Sequence, residues 1–406
     1  MALLPVPDAK ARLLANARPV DGIETLPLGD TAARVLASDI QAKLTQPPFN
    51  SSAMDGYALR AVDAPQVGSE LTVIGSAAAG HAFEGTLGPG ETVRIFTGAP
   101  VPEGADTILI QEDAEKLDAD RIRTTFKVTG GRHIRPRGQD FAEGETVLKA
   151  GTLIDFSHLT AAAAMNHPML PVFRKPKVAI LATGDELIEP GGNPAPAQII
   201  ASNTFGIAAL VRDNGGEVID LGIAQDRHEA ISAAIKRARD AGADILVTLG
   251  GASVGDHDLV QATLKASGME LDFWRIAMRP GKPLMVGSLD GMHVLGLPGN
   301  PVASMVTGML FLEPLLRRLA HLPERRREVD GITARPLGPN DQRQDYLRAR
   351  ITRDEQGQFV AEANPKQDSS MMKIFAHADG LIVRPPHAPE LAAGAPCPIL
   401  LIRPFE

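Results

Sequence analysis

The sequence predicts a multidomain chain of α/β plus β character, with one α/β body, a β-rich insertion between two helices and a small β tail. Three observations carry this. Strand-like and helix-like runs alternate from residue 176 onward. Residues 27–150 instead carry short Val/Ile/Thr/Leu runs broken by Gly, Pro, Asp and Asn. The chain has 406 residues, with 39 Gly and 32 Pro. At roughly 150 residues per domain, that length predicts two to four domains, and the turn-former content disfavours a helix bundle.

Residues 8–17 (DAKARLLANA) read as a helix that stops before Pro19. The β-rich stretch follows, with LTVIG at 71–75, TVRIFTG at 92–98 and TILIQED at 107–113. A second helix is expected over 157–167, with Ser157 as N-cap and Pro168 as the stop. We expect the two helical segments, 1–26 and 149–175, to pair into one linking and dimerisation body, with 27–148 inserted between them.

From 176 to 325 the pattern is that of a mostly parallel sheet covered on both faces. KVAILAT (177–183) is a buried-strand run, and a helix at 202–213 ends near Gly215 and Gly216. Strand 217–222, helix 227–240, strand 244–249 and helix 258–267 follow in turn. Short strands at 284–287 and 293–297 precede one long helix, 301–319. The charged segment HLPERRREVD (321–330) reads as a linker with Arg325–Arg327 as a solvated hinge. Residues 326–406 are expected to form a small β domain.

Composition sets limits on function. The net charge of −8 argues against a general nucleic-acid binder, although small anions can still bind locally. With Cys397 as the one cysteine, no intrachain disulfide can form, and Cys-rich zinc and iron–sulfur sites are excluded. Met1–Lys10 lacks the apolar core of a signal peptide. The longest apolar stretch, Met305–Leu316, contains Glu313 and Pro314 and is too short and polar to span a bilayer. A cytoplasmic location is the expectation.

The strand ends of the α/β region carry the chemistry. They are followed by Thr183-Gly184-Asp185-Glu186, by Gly250-Gly251-Ala252-Ser253-Val254-Gly255-Asp256, and by Pro298-Gly299-Asn300-Pro301. In open parallel sheets ligands bind at the carboxyl edge, so these loops should share one site. Gly250, Gly251 and Gly255 would let backbone N–H groups approach an anion. Arg279 and Lys282 in RPGKP add cations beside a turn. Asp256 reads as an N-cap and Asp258 as the better ligand candidate, with Glu186 and Asp226 also following strand ends. Gathered carboxylates near a phosphate pocket would suit Mg²⁺. The insertion offers three loops, around Asp55, Thr97 and Asp140, and a basic stretch, Arg132 to Arg137. Walker A, GxGxxG and HExxH patterns are absent, and no metal-site spacing links the ten histidines.

Together, PPFNSSAMDGYA (47–58), TGAPVPEGAD (97–106), RPRGQD (135–140), TGDE (183–186), GGASVGDHD (250–258), RPGKP (279–283) and LPGNP (297–301) resemble the molybdopterin molybdenumtransferase family, which includes bacterial MoeA and the E domain of gephyrin. The resemblance covers essentially the whole chain. It implies a MogA/MoaB-like α/β molybdopterin-binding domain and a C-terminal β-barrel-like domain. It implies an enzyme that takes adenylylated molybdopterin and molybdate, uses Mg²⁺, releases AMP and leaves molybdenum on the dithiolene. It further implies a homodimer whose site lies between the α/β domain of one subunit and the insertion of the other. Candidate partners are a molybdopterin adenylyltransferase and molybdoenzyme maturation factors.

By that resemblance Asp55, Thr97, Asp140, Glu186, Asp226, Asp258 and Lys282 are the catalytic set, with Glu186, Asp226 and Asp258 on the metal. Thr183, Gly184, Asp185, Gly250, Gly251, Ser253, Gly255, Arg279 and Pro298–Pro301 surround the substrates. Arg343 or Arg348, with Ser369, would reach the site from the tail. Four positions depart from the family pattern: Arg279 stands where Lys is usual, Asp368 where Gly is common, and Lys373-Ile374 replaces a small-residue pair. A molybdopterin adenylyltransferase and a non-catalytic scaffold are the alternative readings.

Overall fold

The structure is a computed structural model that describes residues 3–250 and 259–404. The chain divides into two compact units, Met1–Glu24 with Phe173–Glu406, and Thr25–Val172. Helix α1 (Val6–Ala15) opens the first unit. It buries Val6, Ala9 and Leu13, one stripe at helical spacing, in the same apolar cluster as Leu315, Leu316 and Leu319. Pro7 in its first turn and Arg12 in its last suit the helix ends.

The Thr25–Val172 unit is built on a six-stranded sheet. Its strands are β1 (Gly56–Leu59), β2 (Glu70–Ala77), β3 (Glu91–Ile95), β4 (Thr107–Ile110), β5 (Ala114–Lys116) and β6 (Arg121–Thr124), in the order β4-β1-β3-β2-β6-β5. Gly56 is forced by this packing, since a Cβ there would sit 2.0 Å from the Leu109 carbonyl oxygen on β4. Helix α2 (Phe156–Ala164) lies in this unit, with Ala162 in the cluster of Leu36, Ile40, Ile154, Leu170 and Val172. Helices α1 and α2 therefore contribute to two different apolar clusters. The cap differs from expectation. Asp155, not Ser157, caps α2. Its Oδ1 accepts from the Ser157 and His158 amides at 2.8 and 3.1 Å, and His158 Nδ1 accepts from the Asp155 amide at 3.2 Å.

The rest of the first unit carries the alternating pattern. The sheet strands are β7 (Lys177–Thr183), β8 (Glu217–Ala224), β9 (Ile245–Leu249), β10 (Glu270–Trp274), β12 (Met285–Leu289) and β13 (Met292–Leu297), while β11 (Met278–Arg279) lies apart. Their order is β8-β7-β9-β13-β12-β10, with the first four parallel and the last two antiparallel. Strands β7 and β9 are apolar and buried along most of their length, as the covered centre of such a sheet requires. Helices α3 (Asn203–Asp213), α4 (His228–Asp240) and α5 (Leu259–Ala266) cover it. The long helix expected at 301–319 is interrupted: α6 (Pro301–Thr307) and α7 (Glu313–Leu319) flank a π-helical turn at Gly308–Leu312. Pro314 has no N–H for the helical ladder, and the wider turn lies directly before it.

Strands β14 (Glu328–Thr333), β15 (Gln344–Arg353), β16 (Phe359–Ala363), β17 (Gly380–Arg384) and β18 (Pro396–Leu401) close into a five-stranded barrel, since β15 pairs with both β16 and β17. The short helix α8 (Met372–Ala376) precedes β17. Cys397 is buried in the barrel interior, where desolvation pushes its thiol pKa up. The linker corrects one expectation. Arg327 is not solvated: its side chain is 11% exposed and grips Glu313 at 2.8 and 2.7 Å, while Nη1 donates to the Leu401 and Ile402 carbonyls. Glu313, in an apolar helix and 4% exposed, needs that cation. Arg325 and Arg326 are exposed.

Candidate functional site

The carboxyl edge of the parallel sheet opens into a cleft of about 1270 Å³. Thr183 at the end of β7, Gly184 and Glu186 beyond it, Asp226 after β8, Gly250 after β9 and Pro298–Pro301 after β13 all line it. Backbone geometry sets their spacing. Gly250 has φ +97°, and a Cβ on it would lie 2.8 Å from the Thr183 carbonyl oxygen. The Thr183 hydroxyl is buried at this edge with no hydrogen-bond partner among the described residues. Asn203 at the start of α3 donates to the Gly299 carbonyl at 2.8 Å, and pins the turn before α6.

The acidic side of the cleft is crowded. Burial pushes the Asp226 pKa up, and the neighbouring charges of Asp185 and Glu186 add to that. The Asp226 amide donates to Asp185 Oδ1 at 3.2 Å. Asp185 itself lines an adjoining pocket with Gln225 and Arg227. Among the described residues no three His, Cys, Asp or Glu side chains converge closely enough to hold a metal ion. Asp258, Gly251, Ser253 and Gly255 lie outside the described residues, as does Asp256.

The basic side comes from RPGKP and the barrel. Lys282 lines the cleft and forms no ion pair among the described residues. Arg279 also lines it, but its guanidinium is shared. It pairs closely with Asp345 and lies 3.4 Å from Asp341. Strand β11 runs parallel to β15, which aligns Arg279 with Asp345. Burial raises the Asp345 pKa, against the lowering by Arg279. Arg343 reaches the cleft and holds the Asp341 carboxyl at about 2 through a 2.9 Å contact. Arg348 does not line this cleft. It is 2% exposed, and its Nη2 donates to the Asp368 carbonyl. Of the two tail arginines, then, Arg343 is the one at the cleft. Ser369 joins it, accepting from Asn300 Nδ2 at 2.9 Å and, through its carbonyl, from the Val302 amide.

The Thr25–Val172 unit gathers its own loops. Asp55 Oδ1 accepts from both the amide and the hydroxyl of Thr97 at 2.7 Å, which holds the Asp55 carboxyl below its usual range. Asp140 lines a pocket of about 510 Å³ with Pro47, Pro48, Ser51, Gly98 and Arg135. Arg137, from the basic stretch, ties two of these loops together. Its amide donates to Asn50 Oδ1 at 2.9 Å and its Nε to the Pro48 carbonyl at 3.1 Å. Sequence reasoning missed Asp341 and Asp345 as partners of Arg279 and Arg343. The alternation of charge in DQRQDYLR was the available signal. It also missed Asn203, a polar residue directly before an apolar helix run.

Comparison with known proteins gives three consecutive family matches. Residues 4–166 match the MoeA N-terminal region (domain I and II), 179–318 the probable molybdopterin binding domain, and 330–402 the MoeA C-terminal region (domain IV). A molybdopterin molybdenumtransferase 2 of Mycobacterium tuberculosis is 36% identical over 396 residues, covering 95% of each chain. The molybdopterin molybdenumtransferase of Haemophilus influenzae is 32% identical over 406 residues, covering 100% of this chain and 99% of its own. A solved molybdopterin biosynthesis MoeA protein from Pyrococcus horikoshii superposes with a TM-score of 0.85 at 29% identity, over 100% of both chains.

Proposed function

Since this chain belongs to the molybdopterin molybdenumtransferase family of molybdenum cofactor biosynthesis enzymes, we propose that it inserts molybdenum from molybdate into adenylylated molybdopterin and releases AMP. The observation that carries the proposal is the two-sided cleft, with Lys282, which forms no ion pair among the described residues, lining the same space as Glu186 and Asp226.

An oxyanion suits the basic side. Lys282 supplies a point charge, and Arg279 and Arg343 supply donors already oriented by Asp345 and Asp341. Ser369 and Asn300 add a hydroxyl and an amide beside the α6 N-terminus. The final metal wants soft sulfur, and the buried Cys397 cannot provide it, so the sulfur ligands come from the substrate's dithiolene. On insertion the dithiolene sulfurs displace oxygen from molybdate, which leaves as water with the two thiol protons, and attack of water on the phosphoanhydride frees AMP.

Glu186 and Asp226 are the described residues that would hold Mg²⁺, a hard cation that would neutralise phosphate charge there. The raised pKa of Asp226 supports this assignment, because a nearby cation would relieve the crowding of carboxylates. Asp258 would join them. Asp55, Thr97 and Asp140 act in the same reaction, brought to the cleft by a partner protomer in a homodimer. Among the described residues no helix is long and apolar enough to cross a membrane, and the enzyme would work in the cytoplasm.

The test is AMP release from adenylylated molybdopterin with Mg²⁺, with and without molybdate. Molybdate-dependent release is expected. ATP consumption without molybdate dependence would instead indicate an adenylyltransferase, and tight binding with no release a scaffold.

A further inference from the structure

The barrel carries a second cavity, of about 800 Å³, that the proposed reaction does not use. Strands β15 and β16, helix α8 and the segment after β18 enclose it. Its basic lining is Arg348, Arg350, Lys373, His377 and Arg403. A basic cavity is unexpected in a chain of net charge −8. Lys373 lines this cavity and not the cleft.

The acids on the wall are already engaged. Glu362 pairs with Arg335, and Asp379 Oδ2 accepts the Ile351 amide at 3.0 Å. Among the described residues Arg348, Arg350, Lys373 and Arg403 form no ion pair. Arg403 donates only to the Ala376 and Ala378 carbonyls, at 3.2 and 3.3 Å. Arg348 is the most telling. Its side chain is 2% exposed, and its Nε is buried without a partner among the described residues. Asp368 offers it a backbone carbonyl, while the Asp368 carboxylate accepts from the Ser370 amide and hydroxyl at 2.8 and 2.6 Å. The Asp368 charge acts on Arg348 without forming an ion pair, so a buried guanidinium with an unpartnered Nε remains costly, and an anion would offset that cost.

We propose that this second cavity is a binding site for a small phosphate-type oxyanion, held by Lys373, Arg403 and Arg350 with Arg348 beneath them. The volume suits a small molecule, and the donor set is cationic, with three guanidinium groups and one ammonium on the lining. The cavity and the cleft share the 364–370 segment as a wall, because Gln367 and Asp368 line the cleft and bond to Arg348. A test must therefore silence the cleft first.

The experiment is calorimetric titration of the full chain with inorganic phosphate in a Lys282→Ala/Arg343→Ala background. Saturable binding is expected to persist there. Adding Lys373→Ala and Arg403→Ala is expected to weaken it by about tenfold or more, with Lys373→Ala alone, at an exposed position, leaving thermal stability unchanged. Lys373→Arg should restore most of the affinity. Repeating the titration with AMP identifies the source of the phosphate. Tighter binding than inorganic phosphate marks a nucleotide, and equal or weaker binding a free oxyanion, both within the proposal. No saturable binding in the background, or binding indifferent to Lys373 and Arg403, overturns it.

Discussion

The two units position candidate site residues by different means. In the α/β unit the sheet does it: Thr183, Gly250 and Pro298 sit where parallel strands end, and a glycine makes room for the next loop. In the Thr25–Val172 unit side chains do it: Asp55 grips Thr97, and Arg137 ties Asn50 and Pro48. One set of positions is a property of topology, and the other of individual hydrogen bonds. The first should fail through the backbone and the second through a single contact.

The largest expected effect falls on the α/β side. Arg327→Ala leaves Glu313 buried and unpaired, and should cost about 3–5 kcal/mol in denaturant unfolding. The insertion's ties are surface bonds and have no such joint to lose. Lys282→Ala comes next. It should lower kcat/KM for AMP release by about a hundredfold, roughly 2.7 kcal/mol, with little change in Tm. Gly250→Ala tests the backbone argument directly. The added methyl meets the Thr183 carbonyl at 2.8 Å in a left-handed conformation. Stability should fall by roughly 1–3 kcal/mol and activity with it. If Tm and activity both stayed at wild-type values, the contrast between the units would break.

Asp55→Asn should act on the other side. It weakens the grip on Thr97, so activity should fall by about tenfold while Tm hardly moves. The smallest effect is expected at Asp226. Its folded pKa is raised, so its ionised form opposes folding at neutral pH, and that penalty fades as pH falls toward about 4. Asp226→Asn should therefore raise Tm slightly at pH 7, lose the gain in acid, and abolish any Tm increase caused by Mg²⁺.

Much of the α/β unit was legible because its strands are buried on both faces and read as apolar runs, KVAILAT above all. The loops at their ends followed from topology. What escaped was decided by tertiary partners. Ser157 and Asp155 are both good caps, and only the reciprocal His158 bond selects Asp155. Arg327 looked like its exposed neighbours until Glu313 claimed it. The π-helical turn answers to Pro314 within a run whose hydrophobicity alone reads as continuous helix. Strand β10, ELDFW, mixes charge and aromatics at the sheet edge and lacks the pattern of a covered strand. In the tail, Arg343 and Arg348 were equivalent on paper, and the barrel places one at the cleft and buries the other.

The burial of Cys397 has a practical side. A thiol shut inside a closed barrel, its ionisation disfavoured, reacts slowly with maleimides and spin labels. The natural sequence therefore serves as its own labelling background. A cysteine placed beside Thr97 or beside Lys282 would be the reactive thiol, and a dye there would report on that loop alone.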